Sequence, residues 1–353
     1  MKRNHWLDFL KLTLIMIIAF WHTAWWTNLR YGFLPVEFFF IVSGYFVYAS
    51  SLKKKSFGKF VTDKIKKLFP TYLIILLINA IYSLSFPQFY SNCPYEYWWL
   101  SLVREALLLQ SVGLDELFNV FKIDLIKTTP TAWYVSVYFY GAIMLYWILT
   151  HFPKKWATYI ISAIVAGVYG FYIFVWDGTL EIWTYKSIFF MPLWRGLAGM
   201  SVGILLGMIM RNENINNWIG THKVYFNILG IAALAGAFYS FFSPTDIEWV
   251  GVICFVFILA NAVSQNGLGS FINDRKYANL IPDISLEILL LHRLLIPVSV
   301  KIADTLGVLN IDVLKYIIYA TVVLTVSYIF NKFIIPMVKL SGGWLFGKVD
   351  GYS

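Results

Sequence analysis

The sequence predicts an all-α fold, a polytopic transmembrane bundle of about ten membrane-spanning helices with both termini cytoplasmic. Three observations predict it. Of 353 residues, 59% are hydrophobic and 13% charged, whereas soluble domains average about 45–50% and about 25%. The apolar runs are roughly 17–25 residues long, as a membrane helix requires, and not the about 9–11 alternating residues of a barrel strand. The basic residues gather in alternate loops, as the positive-inside rule demands. Helices follow because backbone polar groups in lipid must be satisfied within their own segment.

The runs fall at about 7–28, 33–51, 68–86, 132–150, 157–176, 187–210, 224–243, 247–265, 281–300 and 312–336. The first follows the basic "MKRNH". It is too long for a signal peptide and no small-x-small cleavage site follows, so it reads as a retained helix. A short loop joins it to the second run, which makes the two antiparallel neighbours. The third enters the membrane at Pro70 after the basic loop "KKKSFGKFVTDKIKK". Residues 87–131 then form one long outer loop, whose "YEYWWLSLVREALLLQS" suits an amphipathic interfacial helix anchored by Trp98 and Trp99. The later runs follow one another through short loops, and no internal repeat is visible. Residues 1–340 thus read as one membrane domain, and 341–353 as a short flexible tail.

With the N-terminus inside, the inner segments hold about 19 Lys and Arg and the outer segments about seven. The net charge of +9 is therefore accounted for by topology, and no nucleic-acid partner is expected. Cys93 and Cys254 are isolated, so neither a metal site nor a disulfide is expected.

Ionisable residues at membrane depth are costly, about 2.5–3.5 kcal/mol each on insertion scales, and normally line a cavity. Lys11 and His22 stand in the first run, eleven residues apart. At about 100° and 1.5 Å per residue they share one helix face, about 16.5 Å apart along the axis. Glu37, early in the second run, lies at about the depth of His22. A carboxylate there suits a general-base dyad, fixing the imidazole tautomer and stabilising its protonated form. The bland alternative is a snorkelling lysine, an interfacial histidine and a packing hydrogen bond. Ser43 and Gly44, deeper in that run, suit close packing or approach by a ligand. Lys64 and Lys67 share a face at i, i+3 on the inner side, where a phosphorylated cofactor would arrive. Arg195 in the sixth run and His292 and Arg293 in the ninth, with Glu287 five residues earlier, form either intramembrane salt bridges or parts of a channel. His151 and His222, in inner loops, read as solvated, and His5, before the first span, as bland.

Together these segments resemble the acyltransferase-3 family of bacterial membrane acyltransferases. Lys11–ten residues–His22 is similar to the basic-x10-His motif of the family's first helix. "VEFFFIVSGYFV" (36–47) is similar to its acidic, Phe-rich second-helix block, and "KIKKLFPTY" to its basic-x-x-basic block before a proline. "AWYVSVYFY" (132–140), with Trp133 and Ser136, is similar to its Trp-x-Leu-Ser segment, and "ISLEILLLHRLLI" (284–296) to its late Leu-His block. The blocks occur in family order over residues 7–296.

The resemblance implies transfer of an acyl group, most often acetyl from acetyl-CoA, to an extracytoplasmic hydroxyl, usually on a glycan, in the bacterial cytoplasmic membrane. It implies no tightly bound cofactor, with acyl-CoA as donor substrate. It casts His22 as catalytic base or acyl relay, Glu37 as its partner, and Lys11, Lys64 and Lys67 as donor-binding groups. Ser43, Trp133, Ser136, Arg195, His292 and Arg293 become candidates for the channel or the acceptor site. Lysines stand where the family usually has Arg-x-x-Arg, and lack the bidentate fork. Thr131 stands where many members carry His. A transporter or polysaccharide exporter on the same scaffold is the alternative, since a Lys–His–Glu line also suits a proton or solute path.

Overall fold

The computed structural model describes residues 3–85, 98–113, 129–175, 179–180, 185–186, 189–273 and 283–341. In chain order the helices are α1 (His5–Trp21), α2 (Pro35–Ser51), α3 (Phe57–Ser85), α4 (Trp98–Ala106), α5 (Trp133–His151), α6 (Lys154–Val175), α7 (Met191–Ile209), α8 (Glu213–Thr221), α9 (Lys223–Phe242), α10 (Glu248–Val263), α11 (Leu268–Asn273), α12 (Ser285–Leu291), α13 (Leu295–Thr305), α14 (Asp312–Ile329) and α15 (Ile335–Ser341). The sole strand pairing among the described residues joins Tyr185–Lys186 to Phe189–Phe190, antiparallel, with Tyr185 opposite Phe190. The fold is all-helical apart from that pairing.

Among the described residues five stretches are long and apolar enough to cross a membrane: Phe57–Tyr82, Pro130–His151, Met191–Ile209, Lys223–Phe242 and Asp312–Val338. They correspond to the third, fourth, sixth, seventh and tenth expected runs. The other five also fold as helices, namely α1, α2, α6, α10 and the α12–α13 pair, but do not meet that measure over their described residues. The expected flexible tail lies outside the described residues from 342 onward, as do 86–97 and 114–128 of the long loop.

Several boundaries differ from expectation for identifiable reasons. The first run was expected to reach residue 28, but α1 stops at Trp21 and His22 takes the C-cap. The chain then turns through Ala24 at φ 55°, the left-handed residue with which helices commonly end. The ninth run is not one helix, because α12 and α13 are separated at His292–Leu294. Pro297 is the cause: it cannot donate to the carbonyl of Arg293 and its ring crowds that carbonyl, so Ile296 N takes the Arg293 oxygen instead, at 3.3 Å. Pro336 acts similarly on the tenth run. There the ladder widens into a π turn over Phe330–Ile334, with Ile335 N donating to the Phe330 oxygen. The inner loop "NENINNWIGT" forms α8, capped by the Asn212 side chain accepting from Asn214 N at 2.9 Å.

The chain divides into two compact units, residues 1–57 with 140–283, and 58–139 with 284–353. In the first unit, α2 packs along α7, α6 also lies on α7, and α10 lies against α2 and α9. Leu34, Phe38, Ile41, Ala198, Phe241 and Phe255 are among the fully buried residues of its core. Lipid offers helices no hydrophobic reason to associate, so close backbone packing at small residues must supply the contact. The α2–α7 crossing is built on that principle. A Cβ at Gly44 would stand 1.8 Å from the Met200 oxygen, and one at Gly203 1.8 Å from the Ile41 oxygen. Gly199 and Gly207, a turn to either side of Gly203, face Phe40 and Tyr48. α1 is tied in at its start by Asn4, whose Oδ1 caps Leu7 N at 2.9 Å while its Nδ2 donates to the Ala262 oxygen at 2.7 Å.

In the second unit, α12 and α13 pack on α14, and α12 also meets the turn Pro130–Ala132 that opens α5. α3 begins at Phe57, well before the apolar run expected from residue 68, so Lys64 and Lys67 lie on the helix, as their spacing suggested, and Pro70 in its interior.

Gly44→Ala or Gly203→Ala is expected to abolish recovery of monodisperse protein in detergent, since neither collision is with a flexible side-chain end. Gly167→Ala and Gly170→Ala on α6 meet nothing within 4 Å. They are expected to be neutral or to raise thermal stability by about 0.5–1 kcal/mol.

Candidate active site

In the first unit the residues singled out by sequence occupy three places. His22 closes α1 with its imidazole half-buried. Its Nδ1 lies 2.9 Å from the Ile18 oxygen one turn earlier. A carbonyl can only accept, so Nδ1 carries the proton and the neutral ring keeps its lone pair on Nε2. The Trp21 indole meets the ring edge-on, centroids 4.8 Å apart. Thr23 holds the turn, its hydroxyl donating to the Phe20 oxygen at 2.7 Å and accepting from Trp25 N at 3.3 Å.

Glu37 lies in the first turn of α2, where the helix dipole favours a carboxylate, and is fully buried. Its partners are Arg195 and Tyr169. Arg195 Nε pairs with Oε1, and the Tyr169 hydroxyl donates to Oε2 at 3.1 Å. The expected pairing with His22 is thus replaced: Glu37 is engaged by α6 and α7, and a carbonyl of its own helix holds the imidazole. Arg195, also fully buried, extends the network by donating from Nη1 to the Leu180 oxygen at 2.8 Å. The same residue, Leu180, donates its N–H to Glu248 Oε2 at 2.7 Å, and the Thr179 hydroxyl donates to Oε1 at 3.0 Å. Of the two expected readings of Arg195, the structure shows the ion pair.

Lys11 is held by two carboxylates, Asp8 Oδ1 at 2.8 Å and Asp283 Oδ1 at 3.0 Å, while Arg3 Nε takes the other Asp8 oxygen at 2.7 Å. Ser43 is half-buried on α2.

In the second unit Lys64 donates to the Tyr138 hydroxyl, and its ammonium also stands 4.6 Å from the centroid of that ring and 5.3 Å from Phe60. Tyr134 lies parallel to Tyr138, centroids 6.3 Å apart. Lys67 is exposed one turn along α3. Among the described residues no carboxylate pairs with either lysine. Trp133 is half-buried; Ser136 is buried and donates to the Leu108 oxygen. His292 is fully buried, its Nδ1 2.9 Å from the Ile288 oxygen, and its own carbonyl accepts from Tyr319 at 3.1 Å. Arg293 points the other way and is exposed. Glu287 accepts from Asn331 Nδ2 at 3.1 Å.

His151 and His222, in the first unit, show the same Nδ1-to-carbonyl arrangement, at 3.0 and 2.9 Å. The tautomer of His22 is therefore a general consequence of a histidine ending a helix, and does not by itself mark catalysis.

Sequence reasoning missed Asp8, Asp283, Tyr169, Glu248 and Tyr138. Asp8 was visible as an i, i+3 partner of Lys11. The others meet their partners from distant parts of the chain, and nothing in local spacing announces them.

A family model described as "Acyltransferase domain", that of acyltransferase-3, matches residues 4–332. No curated protein and no solved structure matches the chain.

Breaking the buried pair from either side, by Glu37→Gln or Arg195→Met, is expected to cost about 3–5 kcal/mol, because each strands a buried charge. The double substitution is expected to cost less than the sum, which thermal unfolding of the detergent-solubilised protein would measure as a double-mutant cycle.

Proposed function

The chain belongs to the acyltransferase-3 family and is a membrane acyltransferase; on that premise we propose that it moves an acyl group, acetyl in the first instance, from acyl-CoA to a hydroxyl of an extracytoplasmic glycan, in a bacterial cytoplasmic membrane. The observation that carries the reading is His22, a family-motif histidine whose Nδ1 faces the Ile18 oxygen, which makes Nε2 the basic nitrogen of the neutral ring. In the direct route Nε2 takes the proton of the acceptor hydroxyl as its oxygen bonds to the thioester carbonyl carbon. The carbon–sulfur bond then breaks, and the departing CoA thiolate takes the proton from the imidazolium. In the alternative route Nε2 itself bonds to the acyl carbon while the carbon–sulfur bond breaks and CoA leaves as the thiolate; the acceptor oxygen then bonds to that carbon, the carbon–nitrogen bond breaks, and the hydroxyl proton goes to the thiolate.

Glu37 acts at one remove, as a positioning residue: with Arg195 and Tyr169 it pins the start of α2. Lys64 and Lys67 are the donor-binding groups best suited to phosphate, since their charge is not cancelled by a carboxylate among the described residues. Lys11, with Asp8 and Asp283 already in contact, is the weaker candidate.

The test incubates membranes containing the protein with radiolabelled acetyl-CoA and a glycan acceptor. His22→Ala is expected to lower label transfer by about 10²–10⁴-fold, the range for losing a general base. Transfer that survives the substitution would sink the assignment, and glycan export without any label transfer would favour the transporter. Lys64→Gln is expected to raise KM for acetyl-CoA about tenfold, with kcat nearly unchanged, as for loss of a charge-assisted contact.

A further inference from the structure

Within the second unit, α4 and the turn after it are built polar side inward. Trp99, Val103 and Leu107, one helical stripe, are 61%, 48% and 52% exposed, whereas Arg104 and Glu105 are 3% and 0% exposed. A helix on the surface of a soluble protein, or one lying in the membrane interface, shows the opposite pattern to water. The Trp-anchored helix expected here turns its polar face inward, and the Tyr72 hydroxyl, midway along α3, donates to the Glu105 oxygen at 2.8 Å. Inward polar groups and irregular backbone in a membrane protein are tolerated where protein covers them or where they line a wet cavity.

Two buried side chains there each keep one polar atom without a hydrogen-bond partner among the described residues. Gln110 Nε2 donates to the Tyr72 hydroxyl oxygen at 3.3 Å and to the Ala132 oxygen at 3.4 Å. The carbonyl can only accept, so the amide orientation is fixed and Oε1 faces away from both. Gln110 is 4% exposed, and its Oε1 has no hydrogen-bond partner among the described residues. Thr129 is 3% exposed and its Oγ1 is likewise unpartnered there. Both belong to one network, because Thr129 N donates to Glu105 Oε2 at 3.2 Å and Ala132 N to the Thr129 oxygen at 2.9 Å. Leu108, between α4 and Gln110, holds φ 57° although it is a bulky, fully buried residue. Strain of that kind persists only where the surroundings impose it, and it gathers at functional sites. Arg104 and Glu105 stand 3.6 Å apart, so their two charges offset each other. An amide oxygen, a hydroxyl and a neutral ion pair complement hydroxyl groups and offer a phosphate no excess positive charge.

We propose that Gln110 and Thr129, backed by Glu105 and Arg104, form a binding subsite for a neutral polyhydroxylated ligand. Resting on the function proposed above, that ligand is the acyl acceptor, and the subsite is separate in chemistry from the lysines assigned to the donor.

Thr129→Val is the decisive variant, because Oγ1 makes no hydrogen bond among the described residues that the substitution would remove. The full chain in lipid nanodiscs would be titrated with glycerol, myo-inositol, glucose and maltotriose, and separately with acetyl-CoA, following thermal unfolding. At least one polyol is expected to raise Tm saturably. Thr129→Val is expected to melt at or above the wild-type temperature, yet to need about tenfold more of that polyol, with its response to acetyl-CoA unchanged. Gln110→Leu is expected to lose the polyol response as well. If no polyol shifts Tm, or if Thr129→Val responds as wild type does, the two side chains are merely structural and the proposal is overturned. A saturable polyol shift in a protein with no acyl-transfer activity would support the subsite and remove the acyltransferase reading instead.

Discussion

Two backbone carbonyls, that of Met200 over Gly44 and that of Ile41 over Gly203, set how closely α2 and α7 approach, and the buried chemistry of the first unit depends on that distance. Glu37 and Arg195 lie on these same two helices. A side chain at Gly44, Gly199 or Gly203 would separate the helices and leave a carboxylate and a guanidinium buried apart. Such a state costs far more than the pair contributes when intact. The glycines therefore act as the condition under which the ion pair is tolerable. From Arg195 the constraint passes through the backbone of a single residue, Leu180, to Glu248 at the start of α10. Three helices and the segment before α7 are thus held by one polar chain in a setting where hydrophobicity cannot hold them.

Much of the fold was legible in the sequence because lipid imposes one dominant rule, that apolar runs of helical length become helices. The boundaries were less so, for reasons that lie in single residues. Counting apolar residues treats Pro297 and Pro336 as neutral, yet each removes a donor from the helix ladder and reshapes a run that looked continuous. The α2–α7 contact was half legible. Gly44 stood out as a place for close approach, while Gly199, Gly203 and Gly207 at four-residue spacing carried the matching signal and went unread.

The candidate site was legible as a set of residues and less so as a set of partnerships. His22 and Glu37 share a depth, and depth suggested a dyad. A histidine at a helix end, however, has a closer acceptor than any neighbouring helix can offer, the unpaired carbonyl four residues back. Once that bond forms, the tautomer is set without a carboxylate, and Glu37 is available to Arg195. Sequence spacing reports which residues can meet, but competition among several acceptors is decided by tertiary distances. For the same reason Glu248 and Tyr169 carried no signal, since their partners come from remote parts of the chain.

The inverted helix α4 shows how far the solvent changes the meaning of a pattern. The same amphipathic stripe that lays its apolar face on a core in water turns that face outward in lipid and carries arginine and glutamate inward. Both units consequently bury an Arg–Glu pair, Arg195 with Glu37 and Arg104 with Glu105, and each pair is neutral as a whole. Lys64 and Lys67 are the contrast. Lys64 meets a phenol and an aromatic face where the arginines meet carboxylates, so its charge stays available to an anion. If the donor is highly charged and the acceptor is not, as proposed above, that distribution is what discrimination requires. Uncancelled cations would select the phosphorylated partner, and cancelled ones would furnish hydrogen bonds to a hydroxyl without attracting the donor to the wrong place.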